Sequence, residues 1–427
     1  MREHPGVSTA TVAPPALEVA RLLAGAEDRS LGGHLDRYGW RPRGTKSLIA
    51  EVERSGLRGR GGAAFPTAVK LRSVAGRRQP VVVANGTEGE PLSAKDKVLM
   101  TRVPHLVLDG AAVVAETVGA TRILLCLERS AGAAASAMQA AVAERRPFDD
   151  VEVEVLGTPS RFVAGEETAL IHWLNGGEAK PTMVPPRPFE RGVGGRPSLV
   201  QNVETLAHVA LIARFGAGWF RALGTAGDPG TRLLTVTGGV AAPGIVEVES
   251  GISLLEALDA AGWVRGPLPA VLVGGYFGAW LDPEAVGAAH LDVESMRAMG
   301  SSPGCGVVWV LPPGVCGLVE SARVARWYAD QSAGQCGPCF NGLPAIADAL
   351  AALVSGSRPA EAAVALRRWL PMVTGRGACR HPDGAVRFVS STLRVFADEV
   401  DRHARYGPCA ASQRAAFLPV VSGGGWR

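Results

Sequence analysis

Residues 80–91 read PVVVANGTEGEP, a β-branched apolar run that is followed directly by a polar loop. Such a run is typical of a strand that is buried on both faces, as the strands of a parallel sheet are. In open sheets of this kind, ligands bind just beyond the carboxyl ends of the strands. Asn85, Glu88 and Glu90 therefore become candidate binding residues, because amide and carboxylate groups can bond to the hydroxyl groups of a ligand. A solvated polar turn explains the same three residues equally well.

Strand-like and helix-like stretches alternate through residues 45–180, on both sides of this run. We predict further strands at 122–127 and 151–156, and helices at 103–118 and 131–144. Regular alternation of strands and helices predicts an α/β fold, in which helices cover a parallel sheet.

Two later regions have a different character. Between residues 231 and 290, two strand-like runs flank Pro243 and Gly244, and a helix and a strand follow. This order predicts a small α+β module of the β-grasp type. From about residue 318 onward we predict helices. Apolar residues near the end step by three and four, which predicts one helix face of a bundle: Val386, Val389, Leu393, Phe396 and Val400.

The composition limits the classes of protein to which the chain can belong. Its 427 residues suffice for roughly two to four domains, and a hydrophobic content of 47% is ample for their cores. A formal net charge of +4, without dense Lys/Arg runs, argues against a dedicated nucleic-acid binder.

The sequence also bears on location and redox state. No apolar run reaches the roughly 18 residues of a membrane span, and the N-terminus lacks a signal-peptide core. We therefore expect a cytoplasmic protein that associates with a membrane only through a complex. In a reducing cytosol its seven cysteines are not expected to form disulfides, so clustered cysteines become candidates for metal binding.

A glycine-rich segment, GLRGRGGAAFPTAVK, occupies residues 56–70. Arg58, Arg60 and Lys70 add positive charge, and a helix is predicted to begin near Pro66. The N-terminus of a helix favours phosphate, and glycines let the backbone N–H groups approach an anion. An ordinary glycine-rich turn is the alternative, but the combination favours phosphate binding. The glycines concerned are Gly56, Gly59, Gly61 and Gly62.

Two further segments place polar groups where a helix is predicted to begin. AGEETALIHWLNGG (164–177) contains the pair Glu166 and Glu167, and GGRPSLVQNVETLAHVA (194–210) presents Gln201 and Asn202. These side chains either cap their helices or line the pocket that the first two loops form. Local sequence does not separate the two interpretations.

The cysteines form one obvious group. Cys336 and Cys339 have C-x-x-C spacing in SAGQCGPCFNG (332–342), and Cys379 follows in RGACRHPDG. Two thiolates with this spacing can bind one metal centre, and a distant third is typical of iron–sulfur ligation. A buried pair of small hydrophobic residues is the alternative.

Taken in order, these five segments resemble the flavoprotein subunit of respiratory complex I and the related diaphorase subunits of hydrogenases and formate dehydrogenases. The resemblance runs over roughly residues 45–405. GLRGRGGAAFPTAVK, NGTEGEPLSAKDK, AGEETALI and QNVETLA are similar to flavin-site segments of that family. SAGQCGPC and the later GAC are similar to its iron–sulfur segment.

The resemblance implies a Rossmann-like FMN-binding domain, then a β-grasp (SLBB-type) domain and a C-terminal helical bundle. The expected boundaries are an N-terminal arm at 1–44, the FMN/nucleotide-binding domain at 45–225, the β-grasp domain at 226–300 and the helical iron–sulfur domain at 301–427.

The resemblance also implies the cofactors. NADH, or NADPH, would stack over the flavin near Phe65, with Glu90 and Glu167 close by. The flavin would take up a hydride and pass electrons singly to an iron–sulfur cluster. The residues expected to hold FMN are Gly59, Gly61, Gly62, Lys70, Asn85, Glu88, Gly165, Glu166 and Asn202.

The iron–sulfur segment departs from the family pattern. Members usually read S-C-G-x-C-x-P-C, and here Ala333 replaces the first cysteine. The chain would then hold a [4Fe–4S] cluster with a non-cysteine or solvent ligand, a [3Fe–4S] cluster, or no cluster. His381 is the candidate replacement because imidazole also binds iron, although HPDG is equally an ordinary turn before the last helix. Asp383 and Cys409 are weaker candidates.

The segments expected to bind the nucleotide also depart from the family pattern. Thr87 replaces the usual Asp near the flavin, and Val184 and Arg187 stand where the family offers Lys and Phe. Losing an aromatic ring removes stacking area, while Arg187 would favour an anion such as the 2′-phosphate of NADPH.

Two functional hypotheses follow. The first is an NAD(P)H dehydrogenase subunit that delivers electrons through FMN to a thioredoxin-like [2Fe–2S] subunit, a complex I-like assembly or a ferredoxin. The second is a non-catalytic or relay subunit with a decayed nucleotide site and an incomplete cluster, which Ala333, Val184 and Arg187 favour. Ligand binding by the β-grasp module is a third, on fold analogy alone.

Overall fold

The computed structural model describes residues 20–263, 270–421 and 423–427. Residues 1–19 of the predicted N-terminal arm lie outside the described residues. The rest of the arm contains one helix, α1 (Leu31–Tyr38), whose first turn is capped by the Ser30 side chain.

The first domain is a four-stranded parallel sheet with helices on both faces, as predicted. The predicted strands and helices are confirmed to within a few residues. The strands are β1 (Val81–Gly86), β2 (Arg122–Glu128), β3 (Glu152–Thr158) and β4 (Ser198–Asn202). The helices are α2 (Ser47–Ser55), α3 (Thr67–Val74), α4 (Lys95–Arg102), α5 (Pro104–Val118), α6 (Gly132–Arg145), α7 (Glu167–Leu174) and α8 (Val203–Arg221).

The strand order of this sheet, β3-β2-β1-β4, creates a crevice. The chain runs from β1 through β2 to β3 at one edge of the sheet and then crosses back to β4, on the other side of β1. The direction in which strands are added therefore reverses between β1 and β4. Such a switch point is where open α/β sheets bind ligands. Asn85 and Asn202 are register partners at the carboxyl ends of these two strands.

Close packing of two helices supports the sheet. The central helices α5 and α8 are buried along most of their length. They cross at Gly110, where an added Cβ would lie 1.9 Å from the carbonyl oxygen of Leu206. Glycine is therefore required at this crossing, because any side chain would force the helices apart.

The second domain is built on a five-stranded mixed sheet of order β6-β5-β9-β7-β8. The predicted hairpin around Pro243 and Gly244 is confirmed as the antiparallel pair β5–β6. The last strand of the sheet lies beyond the expected domain boundary at residue 300. The elements are β5 (Thr231–Gly238), β6 (Gly244–Glu249), α9 (Leu254–Ala260), β7 (Val271–Val273), β8 (Ala279–Leu281), α10 (Pro283–Ala288), α11 (Val293–Ala298) and β9 (Val307–Val310).

The C-terminal region is a helical bundle, as predicted. The five apolar residues from Val386 to Val400 all pack in the bundle core, as predicted, but they do not lie on one continuous helix, because the helix breaks at Phe396. This residue leaves helical geometry (φ −109°, ψ 34°) and packs its ring against Gly317 and Trp280. The helices are α12 (Gly317–Asp330), α13 (Leu343–Ser355), α14 (Pro359–Val373), α15 (His381–Val395) and α16 (Ala397–Tyr406).

One helical stretch of the bundle bears on the expectation about membrane spans. Within the described residues, Pro338–Ser355 is long and apolar enough to cross a membrane by length and composition, although no run of that length was expected. Half of this stretch is buried inside the protein. Its buried apolar residues belong to the bundle core.

Candidate functional site

Four of the sequence segments meet at the switch point between β1 and β4. The Asn85 side-chain amide donates a hydrogen bond to the Gly165 carbonyl at 2.9 Å. The Asn202 amide donates to the Asp96 carboxylate at 2.7 Å and to the Asn85 carbonyl at 3.4 Å. The Asn202 oxygen caps α8 by accepting from the Glu204 N–H. The tertiary structure therefore brings the predicted residues of separate segments together.

The glycine-rich loop lies directly against this edge of the sheet. A Cβ on Gly61 would lie 3.2 Å from the Asn202 Cβ, so a side chain there would narrow the gap between loop and sheet. Gly62 has a φ of +108°, which side chains disfavour. The loop is closed by a hydrogen bond from the Gly59 N–H to the Phe65 carbonyl, and α3 follows. This bare backbone before a helix N-terminus fits the phosphate end of FMN.

The cations of the loop are not all available to a ligand. Arg60 is buried and pairs with Asp228 at 2.9 Å, and Arg58 donates to the Gly227 carbonyl. The expectation that three cations surround one phosphate is therefore wrong for Arg60. Lys70 remains beside the crevice, where its ammonium is 2.7 Å from Glu167 and 3.1 Å from the Val200 carbonyl.

Two of the predicted carboxylates are engaged as helix caps. Glu88 is buried and accepts hydrogen bonds from the backbone N–H groups of Asp96 and Lys97 in the first turn of α4. Glu166 accepts from the N–H groups of Thr168 and Ala169 in the first turn of α7. Both side chains fix the helices that border the crevice.

Glu90 lies where the first and second domains meet. It accepts hydrogen bonds from the N–H groups of Tyr276 (2.8 Å) and Leu92 (3.3 Å). Burial raises the pKa of Glu90 to about 7, against the effect of these two bonds. The nearby loop carries Phe65, which is 46% exposed although it is a large apolar residue. An exposed ring beside a crevice is suited to stacking on a planar ligand.

A small cavity of about 80 Å³ lies between the glycine-rich loop and the second domain. Sequence reasoning missed the part of its wall that comes from residues 293–306, which includes Arg297 and Cys305. Lys95 also lines the cavity and pairs with Asp96 at 2.7 Å and with Glu204 at 2.8 Å. Burial opposes the charge on this lysine, but the two carboxylates outweigh burial and hold the pKa of Lys95 above its usual range. Its position in NGTEGEPLSAKDK was the available signal.

The three predicted cysteine ligands are grouped at the start of α13 and α15. Burial and the neighbouring thiols of Cys336 and Cys379 raise the pKa of Cys339 to about 11. Burial raises the pKa of Cys379 as well, and Glu166 and Cys336 add to this effect. A C-x-x-C pair of thiols together with a third thiol from a distant segment fits the ligation of an iron–sulfur cluster. Ala333 is buried beside this group.

His381 is buried in an aromatic cluster with Phe162, Phe277 and Tyr328. Its Nε2 is 2.9 Å from the Tyr328 carbonyl and must carry the proton, because a carbonyl only accepts. Its Nδ1 is buried without a partner among the described residues. Burial lowers the pKa of this imidazole to about 4, so the ring is neutral and Nδ1 has a free lone pair.

The other two candidate ligands are engaged elsewhere. Asp383 pairs with Arg380 at 3.0 Å and accepts from the Gly375 N–H. Cys409 groups with Cys316 and His403. The interpretation of Cys409 as a substitute cluster ligand is therefore not supported by its position.

Comparison with known sequences gives three matches along the chain. Residues 52–211 match the Nuo51 FMN-binding domain, residues 233–270 the SLBB domain, and residues 320–403 the iron–sulfur binding region of NADH-ubiquinone oxidoreductase F. Fold and sequence thus define an electron-transfer flavoprotein subunit with FMN and iron–sulfur regions.

Similar full-length chains identify the family. The second F subunit of NADH-quinone oxidoreductase from Rhizobium meliloti (strain 1021) is 32% identical over 380 residues, which cover 85% of this chain and 90% of that protein. The corresponding F subunit of Rhodobacter capsulatus is 31% identical, with 89% and 94% covered. The structure of an air-oxidised NAD⁺-reducing [NiFe]-hydrogenase has a TM-score of 0.78 at 30% identity and covers 97% of this chain and 70% of its own. The chain belongs to the family of NADH-quinone oxidoreductase F subunits.

Proposed function

We propose that this chain oxidises NADH through an FMN bound at the switch point between β1 and β4, and that it delivers the electrons to a partner subunit. The observation that carries the proposal is the meeting of Gly61, Asn85, Gly165 and Asn202 at one sheet edge. When bound, FMN accepts electrons as a hydride and releases them one at a time.

The protein's contribution is to hold and orient this group. The N–H groups of the glycine-rich loop and the Lys70 ammonium would bind the phosphate. Glu88 and Glu166 fix the two helices beside the flavin. The complete set assigned to FMN is Gly59, Gly61, Gly62, Lys70, Asn85, Glu88, Gly165, Glu166 and Asn202.

The nucleotide would lie against the exposed ring of Phe65, with Glu90 and Glu167 on either side. With a pKa of about 7, Glu90 is protonated in slightly acidic solution and can then donate a hydrogen bond from its carboxyl group. Glu167 keeps Lys70 in position through their ion pair.

Electrons would leave through an iron–sulfur cluster held by Cys336, Cys339 and Cys379. The proposed fourth ligand is the Nδ1 atom of His381. The hydrogen bond to the Tyr328 carbonyl keeps the proton on Nε2 and leaves Nδ1 free, and backbone carbonyls fix the tautomer of metal-binding histidines in the same way. The acceptor would be a thioredoxin-like [2Fe–2S] subunit of a complex I-like assembly, or a ferredoxin. We place this assembly in the cytoplasm, with any membrane contact made by other subunits.

The proposal is tested on the chain purified without oxygen. NADH and NADPH are added separately while the flavin absorbance is followed. We expect NADH to bleach the flavin. Bleaching by NADPH alone would assign the exposed Arg187 to a 2′-phosphate and overturn the choice of NADH. A chain without flavin, or a flavin that neither nucleotide bleaches, would establish the relay alternative instead.

The fourth cluster ligand is tested by electron paramagnetic resonance of the reduced protein. His381→Ala should change or abolish the cluster signal while the flavin spectrum is kept. An unchanged signal would exclude imidazole ligation. Asp383→Ala, at the same helix N-terminus, is the control, since its carboxylate is engaged by Arg380.

A further inference from the structure

A second group of metal-binding side chains lies in the helical bundle. It consists of Cys316 at the N-terminus of α12, His403 in α16, and Cys409 in the segment after α16. One ligand atom from each residue lies within 4.8 Å of the other two. The group shares no residue with the proposed iron–sulfur site.

The tautomer of His403 leaves one nitrogen free for this group. Its Nδ1 lies 2.7 Å from the Val354 carbonyl and therefore donates its proton to that oxygen. The opposite nitrogen, Nε2, carries the lone pair and lies 3.7 Å from the Cys316 sulfur. The ring is fully buried, so its orientation is fixed by packing. Metal-binding histidines are commonly held in this way, by a carbonyl on the far nitrogen.

The spacing matches a tetrahedral ion. Zinc binds sulfur at about 2.3 Å and imidazole nitrogen at about 2.0–2.1 Å, which at a tetrahedral angle separates the two ligand atoms by about 3.6 Å. The Cys316–His403 distance of 3.7 Å agrees with this separation.

We propose that Cys316, His403 and Cys409 bind a Zn²⁺ ion. Two thiolates and one neutral imidazole suit zinc, and the protons of both thiols are released to solvent when the ion binds. Within the described ranges no fourth His, Cys, Asp or Glu side chain joins the group, so the fourth position is left to water.

The ion has a structural consequence for the bundle. It connects the first turn of α12 to the last helix and to the segment beyond it. That segment continues to Phe417 and Leu418, whose N–H groups donate to Glu320 of α12. The zinc site therefore anchors the C-terminal segment at a second point on the same helix.

Metal analysis of the full chain tests the proposal. Protein prepared under reducing conditions is stripped of weakly bound ions and measured for zinc and iron together. We expect about one zinc per chain in the wild type and at least a tenfold loss of zinc affinity in Cys409→Ser. Cys126→Ala, which removes a buried thiol in β2 away from the group, is the matched control and should keep its zinc.

Cobalt titration provides a second measurement that does not depend on flavin or iron. Co²⁺ bound by two thiolates and an imidazole should give tetrahedral visible bands that are lost in Cys409→Ser and kept in Cys126→Ala. Three outcomes would overturn the proposal: no uptake of zinc or cobalt by the reduced wild type, unchanged uptake in Cys409→Ser, or a Cys316–Cys409 disulfide in protein prepared in a reducing cytosol.

Discussion

Lys70 carries the charge assigned to the phosphate of FMN, because Arg60 of the same loop is paired with Asp228. We expect Lys70→Met to lower the affinity for FMN by roughly 10- to 100-fold, since a hydrogen bond to a charged group contributes about 1.5–3 kcal/mol. The measurement is fluorescence titration of the flavin-free protein with FMN.

Arg72→Met is the control for this change. Arg72 lies on the exposed side of the same helix, α3, and pairs there with Glu53. Its replacement removes one positive charge from α3 without touching the crevice. Equal losses in the two variants would mean that the net charge of the helix, and not the position of Lys70, determines FMN binding.

The raised pKa of Glu90 predicts that the stability of the folded protein depends on pH. Its pKa is raised from 4.5 to about 7 in the folded protein, so the folded state binds more protons than the unfolded state between these values. Stability therefore falls as the pH rises from about 4.5 to 7, by on the order of 2–3 kcal/mol from this group alone. Glu90→Gln should reduce the slope of this part of the profile, measured as the thermal midpoint against pH. Burial also raises the pKa of Glu247 to about 7, so part of the slope should remain in the variant.

The exposed carboxylate of Glu53 supplies the comparison for Glu90. Glu53→Gln should leave the slope of the profile as it is in the wild type, because an exposed ion pair contributes little to stability. A wild-type profile that is flat between pH 4.5 and 7 would contradict the assignment to Glu90.

At the scale of elements, the turn between α12 and α13 positions two of the cysteines that are proposed to hold the cluster. Cys339 lies in the π-helical turn Pro338–Gly342, and Cys336 lies just before it. Ala333 is buried at the position where the family has its first cysteine. Ala333→Cys should supply a fourth thiolate and raise the iron content toward four per chain, measured by iron analysis and low-temperature magnetic resonance.

Ser332→Cys places a thiol one residue earlier and is the control for position. It should leave iron content and spectrum unchanged, because a neighbouring residue directs its side chain differently. If both variants gained iron equally, a loosely held extra thiol would explain the effect and Ala333 would not mark the missing ligand.

At the scale of the whole molecule, a buried ion cluster joins the first and second domains. Asp228 pairs with Arg60 of the glycine-rich loop and with Arg232 of β5, and all three side chains are buried. Asp228→Asn would leave two buried guanidinium groups without their counter-charge. Breaking a buried pair in this way costs about 3–5 kcal/mol, which we expect as a lower midpoint in denaturant unfolding.

The exposed pair Arg326–Asp348 is the reference for this prediction. Asp348→Asn should change stability by less than about 1 kcal/mol. A similar small effect of Asp228→Asn would show that the domains are held together by apolar contacts and not by the ion cluster.

The sequence by itself was sufficient for the alternation of strands and helices in the first domain and for the hairpin of the second. The valine run at 81–83 and the alternation after it predicted the parallel sheet, because local patterns of apolar residues reflect burial directly. The β5–β6 hairpin followed from its turn residues. The break at Phe396 was not predicted, because it depends on a contact with Gly317, which is distant in sequence.

Only the tertiary structure decided how the charged and metal-binding groups are used. Arg60 was expected to add positive charge to the phosphate-binding loop, and the fold pairs it with an aspartate 168 residues away. Cys316 and His403 are separated by 87 residues, so no spacing motif connects them. The periodicity of apolar residues indicates how single helices and strands are buried. The partner of a buried charge, or the set of residues that binds one metal ion, depends instead on which elements pack against each other. The amino-acid sequence thus specified the flavoprotein framework, and the packing of its three parts specified which side chains remain free for chemistry.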